Sequence, residues 1–274
     1  PFSPGAAERL ASIREAHQPM ATLDVSITAE ASGDASRAVV TARNIRDASF
    51  DALGGRVTLS VVEGEVVADL DAPRGNGATI GFRDFVGAID HDAMSAGRIA
   101  LGGQVHIGAD AIDPSRTDLS IEWTDAPLDS DAVRSLLRQS VGEAAHSLYA
   151  EHDPIGRFDL DLRLSPAARR PQDPPDAPPA LGATGSLRPR TISIVRYGTR
   201  VEFPSASGAI RFSPAGGSFD RLALNAPGIS LSLDGWWRLA APGEGHTMEL
   251  TFNGWATEQG RAVSSLLPAR LHEM

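Results

Sequence analysis

Glu143, His146 and His152 form the one grouping in this sequence whose residue types and spacing suggest a metal site. A Glu-x-x-His pair places both side chains on one face of a helix, as in di-iron bundles. Such a bundle needs a second pair and further glutamates on facing helices, and the sequence has no second pair. Cysteine is absent as well, which removes thiolate ligands and thiolate nucleophiles. We therefore predict no metal and no cofactor.

Two pairs of aspartates could supply acid–base chemistry, namely Asp69 with Asp71 and Asp159 with Asp161. Each pair is spaced i, i+2 within an alternating segment, so its members share the polar face of a strand. Glycosidase chemistry would need such carboxylates in a cleft, and solvated side chains are the simpler interpretation. The sequence also lacks a Gly-x-Ser-x-Gly nucleophile elbow. These patterns predict a protein that is not an enzyme.

The net charge of -10 disfavours nucleic acid as a partner. Binding to DNA or RNA draws most of its affinity from neutralised phosphates, which an acidic surface repels. No apolar run approaches the roughly 18 residues of a membrane-spanning helix, and residues 1–4 show no signal-peptide pattern. We expect the chain to be a fragment of a longer protein.

Alternation of apolar and polar residues is the dominant pattern from Leu23 onward. This period of two is typical of strands that have one apolar and one polar face. We predict on the order of a dozen antiparallel strands whose apolar residues lie on one surface. The predicted lining residues are Leu23, Val25, Ile27, Val57, Leu59, Leu119, Ile121, Phe158, Leu160, Leu162, Leu164, Ile229, Leu231, Leu233, Leu250 and Phe252.

Three stretches have helical spacing instead, at about 4–17, 129–151 and 259–271. Residues 166–179 contain six prolines, which excludes a ladder strand and predicts an exposed loop or insert, with a domain linker as the alternative. The predicted organisation is a first unit over 1–165, a Pro-rich segment over 166–183, and the continuation of a second unit over 184–274.

The sequence contains an internal repeat of about 130 residues. His17-Gln18-Pro19 before the Leu23 strand returns as His152-Asp153-Pro154 before the Phe158 strand. Ala132-Val133-Arg134-Ser135-Leu136-Leu137, which follows Trp123, returns as Ala262-Val263-Ser264-Ser265-Leu266-Leu267 after Trp255. The shared positions predict a turn or capping role for the two histidines. For the two tryptophans they predict a core or strand-end role, with a contact at the wall or rim of a groove as the alternative. The alternative is a chance similarity between Ala-rich strands.

A sheet with one apolar face must cover that face. Two helices per repeat cannot cover a dozen strands, which at about 4.8 Å per strand would span roughly 60 Å. The sheet therefore either folds into a sandwich or curls into a groove that is open to a long ligand. The copies of the repeat follow one another without a break, which favours the groove, because a sandwich would have to close each copy separately.

The order AVRSLL, EHDPIGRFDLDLRL, a Pro-rich insert, TISIVRYGTRVEFPSASGAIRF and FDRLALNAPGISLSLDGWW resembles repeats of the AsmA-like family of bacterial envelope proteins. These are relatives of the bridge-like lipid transfer proteins. In particular, Phe203 to Ile210 resembles the family's strand-turn-strand, in which an apolar residue and proline precede a glycine and an alternating strand.

This resemblance implies a mainly β fold, with a long, curved antiparallel sheet forming a taco-like apolar groove and a few short helices. It implies a noncatalytic lipid-transfer segment in the periplasm that serves cell envelope and outer membrane biogenesis. Phospholipid acyl chains would be its partners, and parts outside this chain would reach the inner and outer membranes, including an inner-membrane anchor. The alternative function is an extracellular β-sandwich module for adhesion or glycan binding.

Overall fold

The computed structural model describes residues 14–15, 18–32, 35–52, 55–71, 78–91, 94–107, 112–129, 149–167, 180–196, 199–238 and 247–257. Its strands are β1 (Met20–Ser32), β2 (Ala35–Ala52), β3 (Gly55–Asp71), β4 (Ala78–His91), β5 (Met94–Ile107), β6 (Asp118–Pro127), β7 (Ile155–Pro166), β8 (Leu181–Arg196), β9 (Thr199–Phe203), β10 (Ser205–Ser213), β11 (Gly216–Ala226), β12 (Ile229–Arg238) and β13 (Thr247–Ala256). A short 3₁₀ helix spans Pro114–Arg116.

All described strands belong to one 13-stranded sheet, in the order β1-β2-β3-β4-β5-β6-β7-β8-β10-β11-β12-β13. The predicted mainly β, antiparallel fold is therefore confirmed. The exception to the sequential order is β9, which pairs with β8. Only Pro204 separates β9 from β10, and proline has no N–H to continue a ladder. The two segments therefore pair with different parts of β8.

Much of the predicted helix and insert lies outside the described residues. This applies to most of 4–17, to 130–148 with Glu143 and His146, to 168–179 and to 258–274. Short helical segments are described at 14–15 and 149–152. At the base of the Pro-rich segment, the N–H of Ala167 donates to the carbonyl of Ala180 at 2.8 Å.

The chain divides into two compact units, one of residues 1–123 and 161–183, the other of residues 124–160 and 184–274. In the first unit, the core is a cluster of Ile45, Ala48 and Phe85 on β2 and β4. Half-buried apolar side chains from β3, β4 and β5 pack around it, including Leu59, Phe82 and Leu101. Phe85 meets Phe82 edge-to-face, with ring centroids 5.8 Å apart.

The second unit has its own core, which consists of Val201 and Phe203 from β9 and Ile229 from β12. Ile194, Leu224, Ala226 and Leu231 pack against this cluster. The positions of β12 at intervals of two from Ile229 are Leu231, Leu233, Gly235 and Trp237, so one face of this strand is apolar.

β-Bulges interrupt the ladders of both units, and short polar residues or glycines stand at them. In the first unit, Asn44 and Asp47 have φ of 49° and 52° at the register shift between β2 and β3. In the second unit, Gly208 has φ of 88° at the shift between β10 and β11. Glycine, Asn and Asp tolerate this left-handed region best. A bulge bends its strand and increases the local twist.

Arg–carboxylate pairs line the polar side of the sheet. In the first unit, Glu65 accepts from Arg43 at 2.7 Å and from Arg83 at 2.8 Å, and these hydrogen bonds lower the pKa of Glu65. In the second unit, Arg190 Nε lies 2.9 Å from Asp159. Burial acts to raise the pKa of Asp159, but Arg190 and the backbone N–H of Asp125 outweigh it and the pKa is lowered.

We expect this charge pattern to make the fold less stable in acid. A lowered folded-state pKa means that the contribution of Asp159 is fully present above the unfolded value of about 3.9. It is lost as the pH falls from there through the lower folded value. The urea midpoint of the parent should decrease as the pH is lowered from neutral to acidic, and the decrease should be smaller in Asp159→Asn. An equal dependence of the urea midpoint on pH in the parent and the variant would contradict this assignment.

Candidate functional site

The apolar side of the second unit is the most continuous surface of one chemical character there. Register puts Leu231 beside Leu224 and Gly254, and Leu233 beside Leu222 and Phe252. Paired residues in antiparallel strands point to the same face, so these strands share one apolar face. We call this set the unit 2 apolar face: Ala206, Ile210, Phe212, Phe219, Leu222, Leu224, Ala226, Ile229, Leu231, Leu233, Trp237, Met248, Leu250 and Phe252.

The first unit has a corresponding surface. Register aligns Ile27 with Val40, Val40 with Ala68, and Ala68 with Ile80. Val25, Ala42, Val66 and Phe82 form a second row in the same way. We call these rows, with Leu59 and Leu101, the unit 1 apolar face. The second row packs on the cluster around Phe85, except for Val25, which lies on the edge strand.

The remaining predicted lining residues lie on alternate positions of their strands. Leu23 lies in β1. Val57 is 6% exposed and lies in β3, between the strands β2 and β4 that carry the core cluster. Leu119 and Ile121 alternate in β6 with the exposed Ser120 and Glu122. Phe158, Leu160, Leu162 and Leu164 alternate in the same way in β7, where Phe158 is 3% exposed.

The exposure of these apolar residues increases toward the two outermost strands. In β1, Val25 is 53% and Ile27 is 68% exposed. In β13, Met248 is 66% and Phe252 is 42% exposed, whereas Ile229 in the neighbouring strand is 4% exposed. Contiguous apolar side chains that are open to water are common at sites where proteins bind a partner or a ligand.

The opposite face of β12 and β13 is polar. Ser232 pairs with Asn253, Asp234 with Thr251 and Trp236 with Glu249. The indole N–H of Trp236 donates to the Glu249 carboxylate at 3.1 Å. Trp255 also lies on this face, opposite Ser230, and is 61% exposed. Trp123 differs from Trp255, because it is buried and its Nε1 donates to the Ala96 carbonyl at 2.6 Å.

Several of the described polar groups that could do chemistry are engaged in structural contacts. Asp159 is paired with Arg190, and Asp161 is exposed on the same strand. His106 is buried between Thr79, 2.9 Å from Nδ1, and Arg116, 3.1 Å from Nε2. Because a guanidinium only donates, Nε2 accepts and the proton lies on Nδ1. His152 is the last residue of the helical segment 149–152, and its Nδ1 lies 3.4 Å from the Val195 carbonyl oxygen.

In the described part of the chain, no three His, Asp or Glu side chains converge as metal ligands would. Helices long and apolar enough to span a membrane are also missing from those residues.

Several residues of the two core clusters do not appear in the sequence-based set. Ile45, Ala48 and Phe85 are examples, because bulges at Asn44–Asp47 and Asp84 interrupt the alternation on which that set depends. Val201 and Phe203 lie in β9, which is too short for a pattern of alternation to stand out. A bulge changes which residues of a strand face the core. An Asn, Asp or Gly in the middle of an alternating segment is the sequence signal that could have located these bulges.

Comparison with known proteins gives no relative. No family model, no curated protein and no solved structure matches this chain. Its function must therefore be argued from the two apolar faces themselves.

Proposed function

We propose that the chain is a noncatalytic lipid-binding segment, with acyl chains lying along the unit 1 and unit 2 apolar faces. On this proposal the strands curve into an open groove built from repeats of about 130 residues, similar to AsmA-like proteins. The segment acts in the periplasm, as part of an envelope-spanning protein anchored in the inner membrane outside this chain. It moves phospholipid for outer membrane biogenesis.

One observation carries the proposal. In β10 to β13, the described positions that share a face with Leu231 are all apolar residues or glycines, while ion pairs and polar residues occupy the other side. A hydrocarbon chain needs no hydrogen-bond partner, so a long surface with no polar position suits it better than it suits a polar ligand. The partial exposure of Phe252 and Met248 leaves this surface accessible to a ligand.

A glycan-binding module is the second candidate, and the exposed indole of Trp255 on the polar face favours it. Aromatic side chains with one polar edge are common where proteins meet amphipathic ligands. A β-sandwich would need two facing sheets, however, and the strands described here belong to one hydrogen-bonded sheet. Loss of glycan binding in Trp255→Ala, with no lipid bound to the parent, would favour this candidate.

Phe252→Asp tests the lipid proposal at a residue that contributes little to the core. We expect it to weaken phospholipid binding at least about tenfold, because a carboxylate beside an acyl chain loses its hydration without gaining a partner. Its melting midpoint should stay close to that of the parent, since Phe252 is 42% exposed. Native mass spectrometry after incubation with phosphatidylethanolamine or phosphatidylglycerol measures the bound fraction.

Asn253→Asp is the matched control, because it introduces the same charge one residue along β13 on the polar face. This variant should bind lipid as the parent does. An equal loss in both variants would place binding elsewhere, and a parent that carries no phospholipid would contradict the proposed function.

A further inference from the structure

The two strands that end the described sheet, β1 and β13, each pair with a neighbour on one side only. The other side of such a strand presents a row of backbone N–H and C=O groups that can pair with a further strand. Most of the exposed large apolar side chains also lie on these two strands, among them Val25, Ile27, Met248 and Phe252.

Both edges offer a long stretch that is free of the interruptions that usually prevent pairing. Natural edge strands are often short, or carry proline, lysine or a bulge. β1 has 13 residues and β13 has 10, and neither contains proline. β13 pairs with β12 from Thr247 to Ala256 without a register shift, and β1 pairs with β2 without one from Asp24 to Ser32. Each edge is therefore a long and regular template.

The sequence repeat indicates which strand fits β13. The segment 132–137 follows β6 and returns as 262–267 after β13, and a His-x-Pro motif precedes both β1 and β7. β13 is thus the counterpart of β6, and β1 is the counterpart of β7. In the sheet, β6 and β7 are hydrogen-bonded neighbours.

From this correspondence we infer that β13 of one copy of the chain pairs with β1 of a second copy, as β6 pairs with β7 within the chain. Placing the two apolar faces on one side brings Val25 and Ile27 of β1 beside the strand that carries Leu250 and Phe252. Pairs of aromatic and β-branched residues across strands stabilise a sheet. The contact joins two different edges, so each added copy leaves one edge of each kind open and assembly continues. The inference does not depend on lipid binding.

Proline substitutions can block each edge separately. Successive N–H groups in a strand point to opposite sides, so one residue of any adjacent pair directs its N–H away from the neighbouring strand. We would make Ser26→Pro and Ile27→Pro in β1, and Thr251→Pro and Phe252→Pro in β13. In each pair, the variant that keeps the parent's melting midpoint is the one whose N–H points away from the neighbouring strand. We would use that variant as the edge-blocked protein.

Light scattering over a wide range of protein concentration then tests the contact, in enough salt to screen the net charge of -10. The parent should show an average mass that rises beyond two chains. Each edge-blocked variant alone should remain a single chain. An equimolar mixture of the two variants should form a complex of two chains and nothing larger, because each supplies the edge that the other lacks.

Three results would overturn the inference. A parent that stays a single chain at every concentration would mean that the edges are covered, for example by another segment of the chain. Self-association of a β1-blocked variant would indicate pairing of like edges. A mixture that remains single chains while the parent associates would place the contact outside β1 and β13.

Discussion

Phe85→Ala should lower the free energy of unfolding by about 3–5 kcal/mol. Phe85 is 4% exposed and packs with Ile45 and Ala48 at the centre of the first unit's core, where its ring also meets Phe82. Removing the ring loses its transfer free energy and leaves a cavity, because β2 and β4 are held by their ladders to β3 and cannot close around it. Urea denaturation followed by circular dichroism measures the change.

Phe85→Leu is the graded comparison, since it keeps most of the apolar volume and should cost clearly less. Val86→Ala adds a control on the neighbouring residue, which is only half-buried and points to the other side of β4. If Val86→Ala cost as much as Phe85→Ala, the core of this unit would not be centred where the structure places it.

Gly103→Ala should destabilise the first unit by at least about 2 kcal/mol. Gly103 has φ of 92°, which side-chain-bearing residues rarely adopt, and a Cβ added there would overlap the Asp118 carbonyl oxygen in β6. Relief requires a shift of the backbone in β5 or β6, because the atom in the way belongs to the main chain. The thermal midpoint and the urea midpoint should both fall.

Gly81→Ala separates this strain from the general effect of replacing a glycine in a strand. A Cβ at Gly81 would lie 3.8 Å from the Val67 carbonyl oxygen, an ordinary contact, and its φ is not positive. We expect this variant to match the parent or to gain up to about 1 kcal/mol, since alanine restricts the unfolded chain. Similar losses in both variants would contradict the role assigned to Gly103.

The sequence was sufficient to predict a mainly β, antiparallel fold, because alternation in segments such as Phe158 to Leu164 is a local property. It predicted the pairing of apolar positions less well. Ile45 and Ala48 share a face although they are three residues apart, since Asn44 and Asp47 shift the phase between them. Such shifts depend on the register with β3, which no local pattern contains.

In the candidate site, too, some residues follow from local alternation and others depend on strand pairing. Ile229, Leu231 and Leu233 were predicted as lining residues, and they share a face because they alternate along the single strand β12. Val201 and Phe203 pack against Ile229 from β9, a contact created by the interruption at Pro204 and the separate pairing of β9 with β8. The sequence shows the proline but not the partner strand, so these two residues could be found only in three dimensions.

The sequential strand order has a consequence for folding during synthesis on the ribosome. From β1 to β8, every strand is followed in the chain by its neighbour in the sheet, and the same holds from β10 to β13. A ribosome therefore releases each strand next to a partner that has already emerged, and no strand must wait for a distant one. Most of the connections are short, those between β6 and β7 and between β7 and β8 being the longer ones. Because pairing of most strands requires the closure of only a short loop, we expect folding to keep pace with synthesis at about 5–20 residues per second.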